Sequence, residues 1–290
     1  MNTNSDPFYF AYGSNLNSDD WQQFCQERGF SIDVLEPVAP TWLPDYRPIY
    51  HYYSSGRNGG ALDVIQSLGQ VTPGMLFRVR SDGWAALDTK EGAPNYYERR
   101  DVTVLNAAGE MIPAITYCVV AEKRQDEFVP PADEYVELVT AGLLAWNLPT
   151  TVHTQAAQNE SLTFLVQHVF AYGLLQSEYD LGQSLTNIGQ RQPARIRGQI
   201  FDLGNYPGWL PSAGVNDWVD GELLTLKQPD FSLARIDRIE GFDEYSSDAL
   251  YHRVLVTATT DSGETVLAWC YRYARAIHSQ PLKNGRWQPQ

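Results

Sequence analysis

Two segments carry carboxylates at a spacing that invites chemistry. "LDTKEG" (87–92) and "IDRIEG" (236–241) each place an Asp and a Glu three residues apart, directly before a glycine. On a helix, Trp84, Leu87, Asp88 and Glu91 fall at i, i+3, i+4 and i+7, and Leu233, Ile236, Asp237 and Glu240 repeat that spacing. One stripe thus combines two apolar residues with two acids, and Gly92 or Gly241 stops it. A stripe facing the core cannot keep unpaired acids, because burying a charge without a partner is costly. Either the acids pair with backbone groups or with Arg99 and Arg253, or they are perturbed groups with a chemical task. A second polar cluster lies at "AYGSN" (11–15), where an aromatic strand runs through Tyr12-Gly13-Ser14-Asn15 into a helix start. Gly, Ser and Asn are turn formers. A turn between strand and helix also presents backbone N–H groups that can cradle a polar ligand.

Both features occur twice. "FAYGSNL" (10–16) returns as "FAYGLLQ" (170–176), so Tyr12 matches Tyr172. "PGMLFRVRSDGWAALDTKEG" (73–92) has a partner in "DGELLTLKQPDFSLARIDRIEG" (220–241), "NYYERRDVTVL" (95–105) in "ALYHRVLVTAT" (249–259), and "GEMIPAITYCV" (109–119) in "GETVLAWCYRY" (263–273). Tyr97/Tyr251, Arg99/Arg253, Gly109/Gly263 and Tyr117/Tyr271 share one constant offset. Blocks recurring in one order are the mark of a duplicated domain.

The elements that must position these residues are mostly strands. Runs 71–79, 99–105, 113–120, 196–203, 221–226, 253–260 and 265–273 alternate or are rich in Val, Ile and aromatics. One short helix per copy interrupts them, with Ser81 or Asp82 as the expected cap of the first. "VPPADEYVELVTAGLLAWNLP" (129–149) reads as a helix closing the first copy, since Tyr135, Leu138, Val139, Gly142, Leu143 and Trp146 fall at helical spacing. "TTVHTQAAQNESLTF" (150–164) is polar and aperiodic, the expected connection. The boundaries are therefore 1–149 for the first domain, 150–166 for a linker and 167–290 for the second.

Composition limits the function. The chain has 290 residues, 43% of them hydrophobic, and a net charge of −14. Mean hydropathy is −0.35, the isoelectric point is near 4.7, and no apolar run reaches membrane-spanning length. The acidity repels polyanions and no Lys/Arg stripe appears, so neither nucleic acid nor membrane is an expected partner. "MNTNSDPFYF" has neither the basic nor the apolar region of a secretory leader. Cys25, Cys118 and Cys270 are too far apart for a disulfide framework or zinc cluster, which fits a reducing cytoplasm. Cys118 and Cys270 read as small apolar packing groups. The five histidines are scattered without ligand spacing.

The ordered set of Tyr12-Gly13-Ser14-Asn15, "LDTKEG" and the Tyr-x-Arg strand at Tyr97 and Arg99 resembles the γ-glutamylcyclotransferase family over roughly residues 8–149. The second copy, roughly 167–278, is similar to its shorter AIG2-like branch, where the first loop usually reads Tyr-Gly-Thr-Leu. The resemblance implies an α+β fold of two tandem domains, each a small mixed β-barrel with a few helices. It implies that the loop Tyr12, Gly13, Ser14, Asn15 and Leu16 holds the glutamyl part of a substrate, with Tyr97 and Tyr117 lining the pocket. Glu91 would be the acid/base. In the second copy Tyr172, Gly173, Leu174, Leu175 and Tyr271 would line a pocket around Glu240, although Leu174 replaces the hydroxyl residue.

The implied reaction suits these residue types. A γ-glutamyl compound cyclises when its own α-amine attacks the side-chain carbonyl, so no Ser, Cys, metal or cofactor is needed. A base must deprotonate the amine and return a proton to the leaving group. A Glu shielded by Tyr96 and Tyr97 is a suitable one. The expected product is 5-oxoproline, and the expected partner is a small γ-glutamyl molecule; the duplication would give a monomer an internal pseudo-dimer. A non-catalytic binding or scaffold module, and removal of a γ-glutamyl protecting group from a biosynthetic intermediate, are the alternatives. The aromatic stretches "PDYRPIYHYY" (44–53) and "GNYPGWLPSAG" (204–214) read as loops that would contact the amine half.

Overall fold

Strand β1 (Phe8–Ala11) opens a closed five-stranded barrel in the computed structural model, which describes residues 7–289. The "MNTNSD" part of the leader reading, and the outermost ends of the expected spans 1–149 and 167–290, lie outside the described residues. After β1 come α1 (Ser18–Arg28), β2 (Leu35–Ser54), β3 (Gly59–Val79), α2 (Gly83–Glu91), β4 (Tyr97–Leu105) and β5 (Met111–Val119), then α3 (Asp133–Ala145) and α4 (Thr151–Ala157). The barrel order is β1-β3-β2-β4-β5, closed by a parallel pairing of β1 with β5.

The second copy repeats this plan. It contains β6 (His168–Ala171), α5 (Asp180–Gln183), β7 (Ile188–Arg197), β8 (Gln199–Asp202), β9 (Pro207–Leu210), β10 (Trp218–Leu226), α6 (Pro229–Glu240), β11 (Tyr251–Thr260) and β12 (Thr265–Tyr273). Five of its strands close a barrel in the order β6-β10-β7-β11-β12, which is the order of the first barrel strand for strand. The parallel closure recurs between β6 and β12. β8 and β9 form a separate two-stranded sheet inserted between β7 and β10. The molecule is thus α+β with two tandem barrels. By contacts the chain divides into one unit of residues up to Val104 with Ile112–Leu165, and another of Leu105–Met111 with the residues from Val166 on. No helix among the described residues is long and apolar enough to cross a membrane.

The barrels fill with the apolar residues of their strands: Phe10, Val64 and Cys118 in one, Val169, Val254 and Cys270 in the other, all fully buried. A glycine beside the first strand of each barrel is dictated by close approach. A Cβ at Gly74 would lie 2.3 Å from the Ala11 carbonyl oxygen and 2.5 Å from Phe10 Cζ. At Gly221 the distances are 2.2 Å to the Ala171 oxygen and 2.7 Å to Phe170 Cζ. The same backbone contact, at the base of the same loop, is made twice.

Several local expectations are corrected. The stretch 44–53 is not a loop but the end of β2, paired with β3 in a hairpin of 20- and 21-residue strands. Along β2 the register shifts next to Pro37 and next to Pro44, irregular points of the ladder where a missing N–H is tolerated. The stretch 204–214 contains β9, and Trp209 is fully buried. The run 196–203 breaks at Gly198, which has φ +140°. Residues 150–166, the expected linker, hold α4, whose Val152 and His153 are buried. The N-cap of α2 is Asp82, one of the two expected residues, but its side chain makes no capping bond, and Ser81 sits at φ +43°.

Candidate active site

The C-terminal ends of α2 and α6 place Glu91 and Glu240. Each helix stops in a left-handed glycine, Gly92 at φ +63° and Gly241 at φ +62°. Each cap N–H closes onto the carbonyl of the aspartate one turn earlier, Asp88 or Asp237. The aspartates are structural, as one of the two sequence readings has it. Asp88 accepts two hydrogen bonds from Arg99, at 2.8 and 2.6 Å, and one from the Tyr117 hydroxyl at 2.6 Å. Asp237 accepts from Arg253 Nη1 at 2.8 Å and from the Tyr271 hydroxyl at 2.7 Å. An Asp–Arg–Tyr clamp therefore ties each helix to the barrel strand carrying Tyr117 or Tyr271.

The glutamates behave differently. Glu91 is part-buried and accepts a 2.7 Å hydrogen bond from Asn15 Nδ2, which also donates to the Tyr9 hydroxyl at 2.8 Å. Asn15 is buried, and its Oδ1 has no hydrogen-bond partner among the described residues. Burial pushes the Glu91 carboxyl up to about 7, against the opposing pull of Lys90, the Asn15 amide and Arg57. Those two cations are held by Asp20, with Lys90 Nζ at 2.6 Å and Arg57 Nη1 at 3.1 Å. A carboxyl so poised exchanges its proton near neutral pH.

The loop and the tyrosines complete a narrow cavity of about 30 Å³. Tyr12, Gly13, Ser14, Asn15, Tyr97 and Tyr117 line it together with Glu91, so the structure gathers these sequence-derived residues at one place. The turn is a single 3-10 turn, Ser14–Leu16, with the Leu16 N–H donating to the Gly13 carbonyl at 3.0 Å. The first N–H groups of such a turn have no acceptor within it. The Tyr12 hydroxyl donates to the Tyr117 carbonyl at 2.7 Å, and the Tyr97 hydroxyl to the Leu62 carbonyl at 2.9 Å.

Leu16 and Tyr96 are not among the residues that line the cavity. Leu16 is 1% exposed and lies against Gly142 of α3, because the turn rotates its side chain into the core. Tyr96 is 47% exposed and does not line the cavity. Three lining residues escaped the sequence reading: Tyr9, Leu62 and Tyr135. Tyr9 was within reach of it, since strand alternation separates it from core-facing Phe10 and its ring lies edge-on to Tyr117. Tyr135 and Leu62 come from elements distant in sequence and carry no local signal.

In the second copy Tyr172, Gly173, Leu174, Leu175 and Tyr271 gather around Glu240. The turn has the same form, with the Gln176 N–H donating to the Gly173 carbonyl at 3.0 Å. The Tyr172 hydroxyl donates to the Tyr271 carbonyl at 2.5 Å and the Tyr251 hydroxyl to the Pro207 carbonyl at 2.5 Å, matching Tyr12 and Tyr97 bond for bond. Leu175 stands where Asn15 stands and Val169 where Tyr9 stands. Burial, followed by the charge of Asp237, pushes Glu240 up to about 8.

Comparison with known proteins agrees with the duplication. The family described as "Gamma-glutamyl cyclotransferase, AIG2-like" matches residues 9–137 and again 169–289. No curated protein matches the chain. Among solved structures, one described as a gamma-glutamyl cyclotransferase is similar at 20% identity, covering 54% of this chain and 89% of its own, with a TM-score of 0.44. An uncharacterized human protein is similar at 21% identity over the same shares, also at 0.44. YkqA from Bacillus subtilis is similar over 98% of this chain and 87% of its own, at 12% identity and a TM-score of 0.33.

Proposed function

This chain belongs to the gamma-glutamyl cyclotransferase, AIG2-like family, and from that premise we propose that its first domain converts a γ-glutamyl amine or γ-glutamyl amino acid to 5-oxoproline and the free amine. The observation that carries the reading is the Glu91 carboxyl, raised to about 7 and aimed by Asn15 into the cavity under the Gly13–Asn15 turn.

In this mechanism Glu91 takes a proton from the substrate α-ammonium. The freed amine attacks the γ-carbonyl carbon and closes a five-membered lactam. The bond from that carbon to the leaving nitrogen breaks as Glu91 returns its proton to the departing amine, and the second proton shed by the attacking nitrogen as it becomes the lactam N–H passes to the released amine or to solvent. N–H groups of the Ser14 turn stabilise negative charge on the carbonyl oxygen or the substrate carboxylate. Tyr117, held by Asp88, and Tyr97, held by the Leu62 carbonyl, form rigid walls. Because the nucleophile belongs to the substrate, the protein supplies orientation and one proton carrier.

The test is 5-oxoproline release from a set of γ-glutamyl amines and amino acids, with Glu91→Gln beside the wild type. A loss of about 10²–10⁴-fold in kcat for Glu91→Gln is expected for removal of a general acid/base. Unchanged turnover in that variant would exclude Glu91. Binding of every compound without product would make the domain a binding module instead.

A further inference from the structure

The cavity of the second domain differs from the first in what it can hold. It measures about 120 Å³, against about 30 Å³ in the first domain. Its walls are Leu174, Leu175, Leu181, Ile239 and Leu250. The tyrosines add little polarity. The hydroxyl hydrogens of Tyr172, Tyr251 and Tyr271 are donated to the Tyr271 carbonyl, the Pro207 carbonyl and Asp237. The amide and hydroxyl that Asn15 and Tyr9 bring to the first cavity are replaced by Leu175 and Val169. Glu240 is the carboxyl of this chamber, which it shares with the Tyr206 hydroxyl and the backbone of the Tyr172–Leu175 turn.

Among the described residues, no hydrogen bond to a protein group and no cation acts on Glu240. Around it stand Tyr172 on the loop, Tyr206 between β8 and β9, Tyr251 on β11, and Cys270 and Tyr271 on β12. On its own helix stands Asp237, whose carboxylate is engaged by Arg253. These neighbours are tyrosines, a thiol and an acid, and the cation of this region, Arg253, is taken up by Asp237. A buried carboxylate without a partner is unfavourable, and the group that completes it is a cation small enough to enter and apolar enough to remain.

We propose that the second cavity is a binding site for a primary ammonium carried on an apolar body, with the ammonium on Glu240 and the body against Leu174, Leu175, Leu181, Ile239 and Leu250. This goes beyond the reaction assigned to the first domain and does not depend on it. The ammonium ionises Glu240 on binding, so the carboxyl proton leaves to solvent while the ligand keeps its own. With Glu240 near 8 in the empty cavity, affinity rises by about tenfold between pH 7 and pH 9, where the carboxylate fraction rises by the same factor.

The probe is 3-methylbutylamine, titrated calorimetrically into full-length Glu91→Gln protein so that the first carboxylate takes no part. 3-Methylbutanol is the uncharged control. The amine is expected to bind at least about tenfold more tightly than the alcohol, the worth of one charge-assisted hydrogen bond. Its heat at pH 7 should vary with the ionisation enthalpy of the buffer, reporting close to one proton released. Adding Glu240→Gln should remove both effects. Leu174→Arg, at the half-buried edge of the cavity, should abolish amine binding by like-charge repulsion and serves if the Gln variant does not fold. Equal binding of amine and alcohol, no proton release, or unchanged binding in either second-site variant would overturn the proposal. So would an absence of amine binding together with Glu240-dependent 5-oxoproline release, which would make the site a second cyclotransferase.

Discussion

Glu91 and Glu240 occupy the same place in two copies of one fold, yet their proton affinities differ for reasons that can be named. Burial raises both. In the first copy the Asn15 amide, Lys90 and Arg57 pull back, and the carboxyl settles near 7. In the second copy Leu175 replaces the amide, Asp237 adds its own negative charge, and the carboxyl rises to about 8. On the proposed reaction, activity requires ionised Glu91, so kcat/KM should climb with pH through about 7. Asn15→Leu, which imitates the second copy, should move that limb upward, toward 8, and lower kcat because the carboxyl loses its aim. A pH–rate profile measures both. An unmoved limb would mean that the amide has no hold on the carboxyl.

At the scale of elements, short helices and strands carry the site because two devices are repeated. One is the clamp of Asp88 with Arg99 and Tyr117, repeated by Asp237 with Arg253 and Tyr271. The other is the glycine at Gly74 and Gly221, which lets the first strand of each barrel lie close to its neighbour. Gly74→Ala drives a methyl group into the Ala11 carbonyl, so the strand must shift at the root of the Ser14 turn. We expect a loss of about 1–3 kcal/mol in unfolding free energy, the usual cost of overpacking, and a rise in KM for the substrate. Chemical denaturation and steady-state kinetics on the same preparation check both. The members of the clamp stand out in the sequence because they recur at fixed spacing, but that they bind one another is decided by the fold. The long β2–β3 hairpin was not legible there, because Pro37, Pro40, Pro44 and Pro48 crowd one run and prolines read as a loop rather than a strand.

For the whole molecule, two raised carboxyls make stability depend on pH in an uncommon sense. Unfolded glutamates titrate near ~4.3, whereas Glu91 and Glu240 do so at about 7 and about 8 in the folded protein. Between these limits the folded state binds more protons than the unfolded state. Their favourable contribution is therefore complete below the unfolded value and is lost as pH rises through 7 and 8. The double variant Glu91→Gln/Glu240→Gln should match the wild type near pH 4 and unfold at higher temperature at pH 9. The expected gain is on the order of 4–5 kcal/mol per site. Thermal melts at the two pH values decide it, and a variant less stable at pH 9 would contradict the assigned shifts.

By itself the amino-acid sequence determined the duplication, the stripe of Leu87, Asp88 and Glu91 with its copy, the glycine stops, and the loop that faces them. Each rests on local spacing, turn chemistry or the matching of one half to the other, and those are properties of a chain before it folds. Only the tertiary structure decided which acid is the clamp and which faces the cavity, because that depends on where Arg99, Tyr117 and Asn15 arrive from other strands. It also decided that Tyr9, Leu62 and Tyr135 share the first cavity, and that the second is wider, largely apolar and centred on a carboxyl on which no cation acts among the described residues. Burial and charge proximity are sums over neighbours far apart along the chain, and closure of the barrel is what makes them neighbours.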